Sequence, residues 1–431
     1  MTKSVLFLLT VVLPAPSIYP QEQSIPFDTL TLNRAAQLAI EYHPALRSAD
    51  ANVRSASAGL TQAVAGYLPS LNASATLSHT DGAFVFNPDF PPRNQTYNNY
   101  TTGVQVQQTL FDFGKTIGRV SANSSFVEAA ESDYRSARDN VVMNVQVAYF
   151  TYVEARQVVR VNEKAVEQAK LHVTQAKAFY AVGKRAQIDV TRAEVDLANS
   201  TVNLIRAQNQ VQLAKLQLEN DMGVHPAKEY SVQEEFDVPA FTASLDSVKA
   251  LAREQRPELF AAKARVAANK SLVTAAWTQH LPTLSASGNW TWSNFELPLF
   301  SRWNAGVTLT MPLFQGFALS AQVDQARANA DAAQANLDLL TESVLQDVEQ
   351  NYLSVKEAEK RINATAKLVE QAEQTLTLAE KQYAAGVGTT LEVTDAQLAL
   401  SNARITRIQA LYDYNTFLIR LRRSIGTISP E

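Results

Sequence analysis

Two stretches of this chain decide how the rest of it is read. One is Phe179-Tyr-Ala-Val-Gly183-Lys-Arg-Ala-Gln-Ile-Asp189-Val-Thr-Arg-Ala193-Glu-Val-Asp-Leu197, and the other is Gln382-Tyr-Ala-Ala-Gly386-Val-Gly-Thr-Thr-Leu-Glu392-Val-Thr-Asp-Ala396-Gln-Leu-Ala-Leu400. In each, a glycine is followed six residues later by a carboxylate, Asp189 after Gly183 and Glu392 after Gly386. Each stands between two long, proline-free segments of helical periodicity. A glycine turn leading into a helix with an acidic first turn is the pattern of a helical hairpin tip. A tip presented twice per chain predicts a place of docking, gating, or both.

Outward from the first tip, helical periodicity covers 114–181, on the order of 100 Å at about 1.5 Å per residue. A return helix covers 187–222, and a mixed linker with Pro226 and Pro239 covers 224–243. Upstream, Thr31 is placed to cap a helix, Pro44 interrupts the pattern, and helix resumes from about Ala45 to Tyr67. Leu68-Pro69-Ser-Leu71 ends it, because proline disfavours helix at the residue before it. The period then changes to two in Leu71-Asn-Ala-Ser-Ala-Thr-Leu77 and again in Tyr100-Thr-Thr-Gly-Val104-Gln-Val106, which predicts a β-hairpin. Residues 83–98, with Pro88, Pro91 and Pro92, read as the loop between its strands.

The whole pattern then recurs. His43-Pro-Ala-Leu46 matches Arg256-Pro-Glu-Leu259, and Tyr67-Leu-Pro-Ser-Leu71 matches His280-Leu-Pro-Thr-Leu284, both at an offset of 213. Leu110-Phe111 matches Leu313-Phe314, Gly183 matches Gly386 and Gly223 matches Gly426, all at 203. The offset changes once, across the strand hairpin. A register kept over more than a hundred helical residues implies that helix length itself is constrained, as in a tube wall. The predicted organisation is repeat 1 over 27–223, the linker, and repeat 2 over 244–426. Repeat 1 holds a hairpin at 71–111, a long helix at 114–181, a tip at 182–186 and a return helix at 187–222. Repeat 2 holds the same parts at 283–314, 316–384, 385–389 and 390–425.

In both long helices a seven-residue spacing recurs: Val145, Tyr152, Val159, Val166, Val173 and Tyr180, then Val348, Val355, Ile362, Val369, Leu376 and Tyr383. Small residues such as Ala155, Ala169, Ala176, Ala358, Ala372 and Ala379 follow three positions later. This is a coiled-coil seam in which neighbouring helices can approach closely.

The second hairpin carries three of the four tryptophans, Trp290, Trp292 and Trp303. Apolar residues on one face, Ser, Thr, Asn and Gln on the other, and aromatic ends are the pattern of a transmembrane β-barrel, with these tryptophans in its aromatic belt. Two amphipathic hairpins on a soluble domain are the alternative, but they need a second layer to cover them and no segment is left for it. Four strands cannot close a barrel, and an open sheet cannot span lipid. The chain must therefore oligomerise if it spans: two copies supply eight strands and three supply twelve.

Lys3, the apolar run Val5 to Leu13, and small residues Ala15 and Ser17 predict a secretory signal over about residues 1–20. The chain has no cysteine, hence no disulfide and no cysteine-linked lipid. A formal charge of −4 gives no general attraction to nucleic acid. The five histidines show no H-E-x-x-H spacing, and no Walker, G-x-S-x-G or G-x-G-x-x-G motif occurs. Neither an enzyme nor a cofactor or metal site is predicted. Asp189, Glu392 and Asp395 lie in first helical turns, where capping explains them and a ring of negative charge at a pore mouth explains them equally.

The duplicated helix–hairpin–long-helix unit, the Leu-Pro-x-Leu junctions, the Leu-Phe strand ends and the two Tyr-x-x-Gly turns together resemble the TolC-like outer-membrane efflux proteins, over about residues 27–426. The resemblance implies an α+β membrane protein of the outer membrane. It implies a homotrimer with a twelve-stranded barrel in the lipid bilayer and a coiled-coil α-barrel tunnel in the periplasm. It implies an exit duct of a tripartite efflux or type I secretion system, with a periplasmic adaptor (membrane fusion) protein and an inner-membrane transporter as partners, and no cofactor. The adaptor-docking tips would be Val182, Gly183 and Lys184 with Ala385, Gly386 and Val387. The gate would fall on Asp189, Tyr383, Glu392 and Asp395, with Asp189 accepting a hydrogen bond from Tyr383 of a neighbouring hairpin. Gated members of that family can carry an arginine two residues after the second glycine, where this chain has Gly388, while Arg185 stands at the equivalent first-copy position. A soluble periplasmic coiled-coil adaptor is the rival reading, and a duct for secreted proteins is the rival within the fold.

Overall fold

The structure is a computed structural model that describes residues 29–84, 93–224, 230–234 and 239–428. The predicted signal segment and Pro226 lie outside these residues. In chain order the elements are β1 (Thr29–Leu30), α1 (Leu32–Tyr42), α2 (Pro44–Val64), β2 (Ser70–Phe84), β3 (Arg93–Phe111), α3 (Lys115–Ala181) and α4 (Gln187–Met222). There follow β4 (Ser231–Val232), α5 (Leu245–Gln255), α6 (Pro257–Trp277), β5 (Thr283–Asn294), β6 (Phe300–Thr310), α7 (Ala318–Ala384) and α8 (Thr390–Ile425).

The helices come in pairs of equal length. Helices α3 and α7 each have 67 residues, α4 and α8 each have 36, α2 and α6 each have 21, and α1 and α5 each have 11. Their ends are set by local chemistry. The Thr31 side chain accepts from Arg34 N and starts α1, the Ser244 hydroxyl does the same for Ser247 N at α5, and such a cap is worth about 1 kcal/mol. Proline at the first position starts α2 and α6, where its missing N–H costs nothing.

Each long helix runs beside two shorter ones stacked end to end. A Cβ at Gly223, the left-handed cap of α4, would lie 2.9 Å from the Cα of His43, where α2 begins. A Cβ at Gly426, the cap of α8, would lie 2.7 Å from the carbonyl oxygen of Gln255, the last residue of α5 and two before α6. Thus α4 abuts α2 alongside α3, and α8 abuts α6 alongside α7. The two halves meet where α6 and α8 also pack on α3. The seam residues predicted from the seven-residue spacing are buried along most of this wall, among them Val145, Val166, Val173, Val348, Val355 and Leu376.

The core is largest at mid-height. There α1, the parallel pair β1–β4 and the ends of α4 and α8 cover Val142, Val145, Tyr149 and Val153 of α3. The second half has an ionic knot at the matching place. Buried Arg256 donates from Nη1 to Asp347 at 2.7 Å and from Nε to Glu258 at 3.2 Å, and Arg423 donates to Glu258 at 2.5 Å. In the first half the residue matching Arg256 is His43, whose Nδ1 accepts from Ala45 N.

Strands β2, β3, β5 and β6 form one antiparallel sheet in that order. The predicted loop over 83–98 is too long. Phe84 pairs with Arg93 and His79 with Asn98, so 93–98 belong to β3. All three prolines of the stretch fall at 88–92, and the residues after them, including Thr96 and Tyr97, suit a strand.

Candidate functional site

The hairpin tips are Val182 to Ala186 between α3 and α4, and Ala385 to Thr389 between α7 and α8. Gly183 and Gly386 take the left-handed conformation that turns the chain. At the second tip Thr389 accepts from Glu392 N while the Glu392 carboxylate accepts from Thr389 N, a complete capping box. Glu392 is therefore engaged in starting α8. Asp395, one turn on, is exposed.

The two tips are tied together by side chains of the first acting on the second. Arg185 donates from Nη2 to the carbonyl oxygen of Gly388 at 2.7 Å, and its guanidinium lies 4.8 Å from the centre of the Tyr383 ring. Asp189 accepts from the Thr390 hydroxyl at 3.0 Å, and Asp196, seven residues on, accepts from the Thr394 hydroxyl at 2.7 Å. A Cβ at position 388 would lie 2.9 Å from Tyr383 N, so the close approach that exposes the Gly388 carbonyl to Arg185 requires glycine. The arginine of this contact thus stands on the first tip, at Arg185, and the second-tip position where the resemblance allows one is Gly388.

Tyr383 does not bond Asp189 within the chain. Its ring is buried between His172, at a centroid distance of 5.3 Å, and Phe179, at 5.7 Å. Its hydroxyl finds no partner, and neither does Nε2 of His172. The reason is the seam: Tyr383 closes the stack of Ala372, Leu376 and Ala379, and the hairpin core holds it inward. Its first-copy counterpart Tyr180 is 47% exposed although the same spacing predicts it buried. Val182, Lys184, Ala385 and Val387 are exposed at the tips, and Arg185 is half-buried.

Thr390, Thr394, Asp196 and His172 did not stand out in the sequence. The available signal was the heptad spacing of Asp189 and Asp196 on one helix against the four-residue spacing of Thr390 and Thr394 on another. His172 has no such signal, being one polar residue beside the seam.

At the other end of the molecule the sheet register sorts the side chains. Leu71 pairs with Val106 and Ala73 with Val104. Val104 pairs with Trp290, and Trp290 pairs with Trp303 and Ala286 with Val307. Partners share a face, so one face carries these apolar residues across all four strands. The other carries Asn72, Ser74, Gln105, Asn289, Ser287 and Asn304. The apolar face is bare, with Leu71 69% and Trp303 77% exposed. Trp290, Trp292 and Trp303 all lie on it, the first two stacked at 5.5 Å. At the strand-to-helix junctions the Leu-Phe strand ends find aromatic partners that the sequence reading did not single out, Phe111 packing on Phe113 and Phe314 on Phe317. Phe113 and Phe317 have positive φ, a conformation that bulky residues rarely take. Among the described residues no helix is long and apolar enough to cross a membrane, and no group of three or more His, Asp or Glu could hold a metal ion.

A family profile described as outer membrane efflux protein matches residues 35–224 and 249–427. The outer membrane protein TolC of Escherichia coli is 24% identical over 409 residues, covering 90% of this chain and 80% of that protein. The pyoverdine export outer membrane protein OpmQ of Pseudomonas aeruginosa is 24% identical over 414 residues, covering 93% and 84%. Among solved structures, the Campylobacter jejuni CmeC outer membrane channel superposes with a TM-score of 0.80 at 21% identity, over 92% of this chain and 85% of that one.

Proposed function

The chain belongs to the outer membrane efflux protein family, and from that we propose that three copies form a passive exit duct in the outer membrane, gated at its hairpin tips. The bare apolar face of the sheet carries this reading. An open four-stranded sheet in lipid leaves the backbone groups of β2 and β6 unpaired. Edge-to-edge closure of three sheets gives twelve strands, apolar outward and Asn, Gln, Ser and Thr inward. The same operation lines up three sets of α3 with α2 and α4, and α7 with α6 and α8, as a helical tube continuing into the periplasm.

The tips then converge at the far end of the tube. The ties from Arg185 to Gly388, Asp189 to Thr390 and Asp196 to Thr394 hold the two hairpins of one protomer together. The charges of Glu392 and Asp395, tripled by symmetry, make the mouth attractive to cations. The exposed tip residues Val182, Gly183, Lys184, Ala385, Gly386 and Val387 are the docking surface for a periplasmic adaptor, which with an inner-membrane transporter supplies the energy. Cargo is small molecules, in keeping with the pyoverdine export named for one relative.

Two measurements test this. Membrane fractionation with crosslinking should recover a heat-modifiable trimer in the outer membrane, and a species extracted without detergent would point to a soluble adaptor instead. In planar bilayers the purified trimer should show a small, cation-selective conductance.

A further inference from the structure

The tip contains a buried pair that the gate ties do not use. His172 on α3 is 3% exposed and Tyr383 on α7 is 3% exposed. Their rings touch, yet Nε2 of the one and the hydroxyl of the other have no hydrogen-bond partner. Leaving such groups buried and unpaired destabilises the packed state. Tyr383 is also the ring on which Arg185 rests while it reaches Gly388. Whatever displaces Tyr383 therefore unseats Arg185. Both rings border a groove of about 540 Å³ between the hairpins, so space for displacement exists beside them.

We propose that His172 is a proton-operated latch: protonation of its imidazole drives Tyr383 out of its slot, releases Arg185 from Gly388 and loosens the tip. The proposal rests on the reading of the tips as a gate.

The charges around His172 come from each element packed on it. Helix α4 brings Asp196 and Asp189, which favour the imidazolium. Helix α7 brings Glu380 and Lys381 at the rim of the groove, besides Tyr383. Helix α8 brings only the uncharged Val393 and Gln397, and the tip brings Arg185 over the far side of Tyr383. Burial outweighs the two aspartates and holds the imidazole below its ordinary value of 6.5. The sign follows. A loosened tip, with His172 in water, binds a proton below about pH 6.5, whereas the packed tip takes one up only at lower pH. The packed tip is fully stable above that pH and loses stability as the pH falls below it, by at most about tenfold in the packed-to-loose ratio per pH unit for each imidazole. Neither Nε2 nor the tyrosine hydroxyl stays unsatisfied once water enters.

The experiment uses the full-length trimer in planar bilayers from pH 7.5 to 5.0, carrying Glu392→Gln and Asp395→Asn so that the mouth carboxylates do not titrate. Open probability should rise several-fold below pH 6.5. His172→Phe and His172→Gln should both flatten the response, and Asp196→Asn should enlarge it, because the packed imidazole then loses a charge that favours its proton while the loosened one in water is unchanged. Heat-modifiable assembly identifies variants that fold. Hydrogen exchange across 179–189 and 380–392, corrected for intrinsic rates, reads the same loosening without reference to conductance. A pH response retained in both His172 variants, or exchange at the tips that does not change with pH, overturns the latch. Arg185→Ala at pH 7.5 separates the two readings: unchanged conductance there overturns the gate, whatever exchange shows at His172.

Discussion

At the scale of single residues, Arg185 joins a cation–π contact and a charged hydrogen bond in one side chain, together worth about 2–5 kcal/mol. Arg185→Ala should therefore raise the resting conductance at neutral pH. Arg185→Lys should fall between, because an ammonium lacks the planar fork that lies on Tyr383 while reaching Gly388. Single-channel recording checks both, and conductance equal to that of the unmodified protein would rule out the tie as a closing contact. Glu392 has two roles that one substitution can separate. Glu392→Gln keeps a side-chain acceptor for Thr389 N and removes only the charge, so it should lower cation selectivity, read as reversal potential in a salt gradient, with the helix intact. Away from the tip, Arg256→Ala takes from Glu258 and Asp347 one of their two cations, Arg423 being the other, and should cost on the order of 1–3 kcal/mol of stability. Burial alone would raise the pKa of Glu258, but Arg423 and Arg256 hold it below its usual value. That contribution is present above about pH 4.5 and is lost as the pH falls through the lowered value, so in thermal melts Arg256→Ala should matter less in acid. The sequence exposed Asp189 through its place after a glycine. Its partner Thr390 lies 201 positions away, and only the packing of α4 on α8 brings the two together.

At the scale of elements, the long helices were legible because the seven-residue spacing and the absence of proline act over each helix's own length. The strands were legible because a period of two sorts side chains by face. The end of β3 was not, since three prolines drew the loop boundary too late and nothing local says that 93–98 pair with 79–84. The strand-to-helix corners were not legible either. Phe113-Gly114 and Gly316-Phe317 place glycine at opposite positions of matching turns, yet both residues of each pair adopt positive φ. Equal helix lengths in the two copies make a testable demand. Removing one heptad from α3 and one from α4 shortens the first hairpin by about 10 Å and leaves the second unchanged. Arg185 then cannot reach Gly388, and the duct should stay open. Removing a heptad from α7 and α8 as well restores equal length and should restore a low conductance. A tip that closes equally well in both constructions would mean that hairpin length is not what aligns the ties. The sheet makes a second demand. Trp303→Arg puts a charge on the apolar face and should cost about 2–4 kcal/mol near the bilayer midplane and less toward its edges, read as loss of heat-stable trimer.

At the scale of the whole molecule, a single chain is one third of the proposed duct. Its accessible surface is 27140 Å², whereas a globular monomer of 47.3 kDa exposes about 16,000 Å². Exposed apolar side chains such as Leu71, Leu77, Trp303 and Val307 lie on the sheet face that the proposed trimer would turn to lipid. The two copies of the duplicated unit show the same thing through one pair of tyrosines. Tyr383 ends the seam of α7 and is covered because α3 of the first hairpin, through His172 and Phe179, lies against it. Tyr180 ends the seam of α3 at the equivalent position and is half exposed, because within one chain no further hairpin lies on that side. In a closed ring of three protomers the second hairpin of a neighbour stands there, and the two tyrosines become equivalent in burial. The absence of cysteine makes this directly measurable. A Tyr180→Cys variant carries a single thiol, and so does a Lys184→Cys variant, whose site lies at the open end of the tip. In the assembled, tip-closed protein, maleimide should label position 184 quickly and position 180 at least about tenfold more slowly. After dissociation of the trimer by heat, both should label alike. Equal labelling of the two positions in the intact assembly would place Tyr180 on a free surface, and the ring would then have to close through contacts other than hairpin against hairpin.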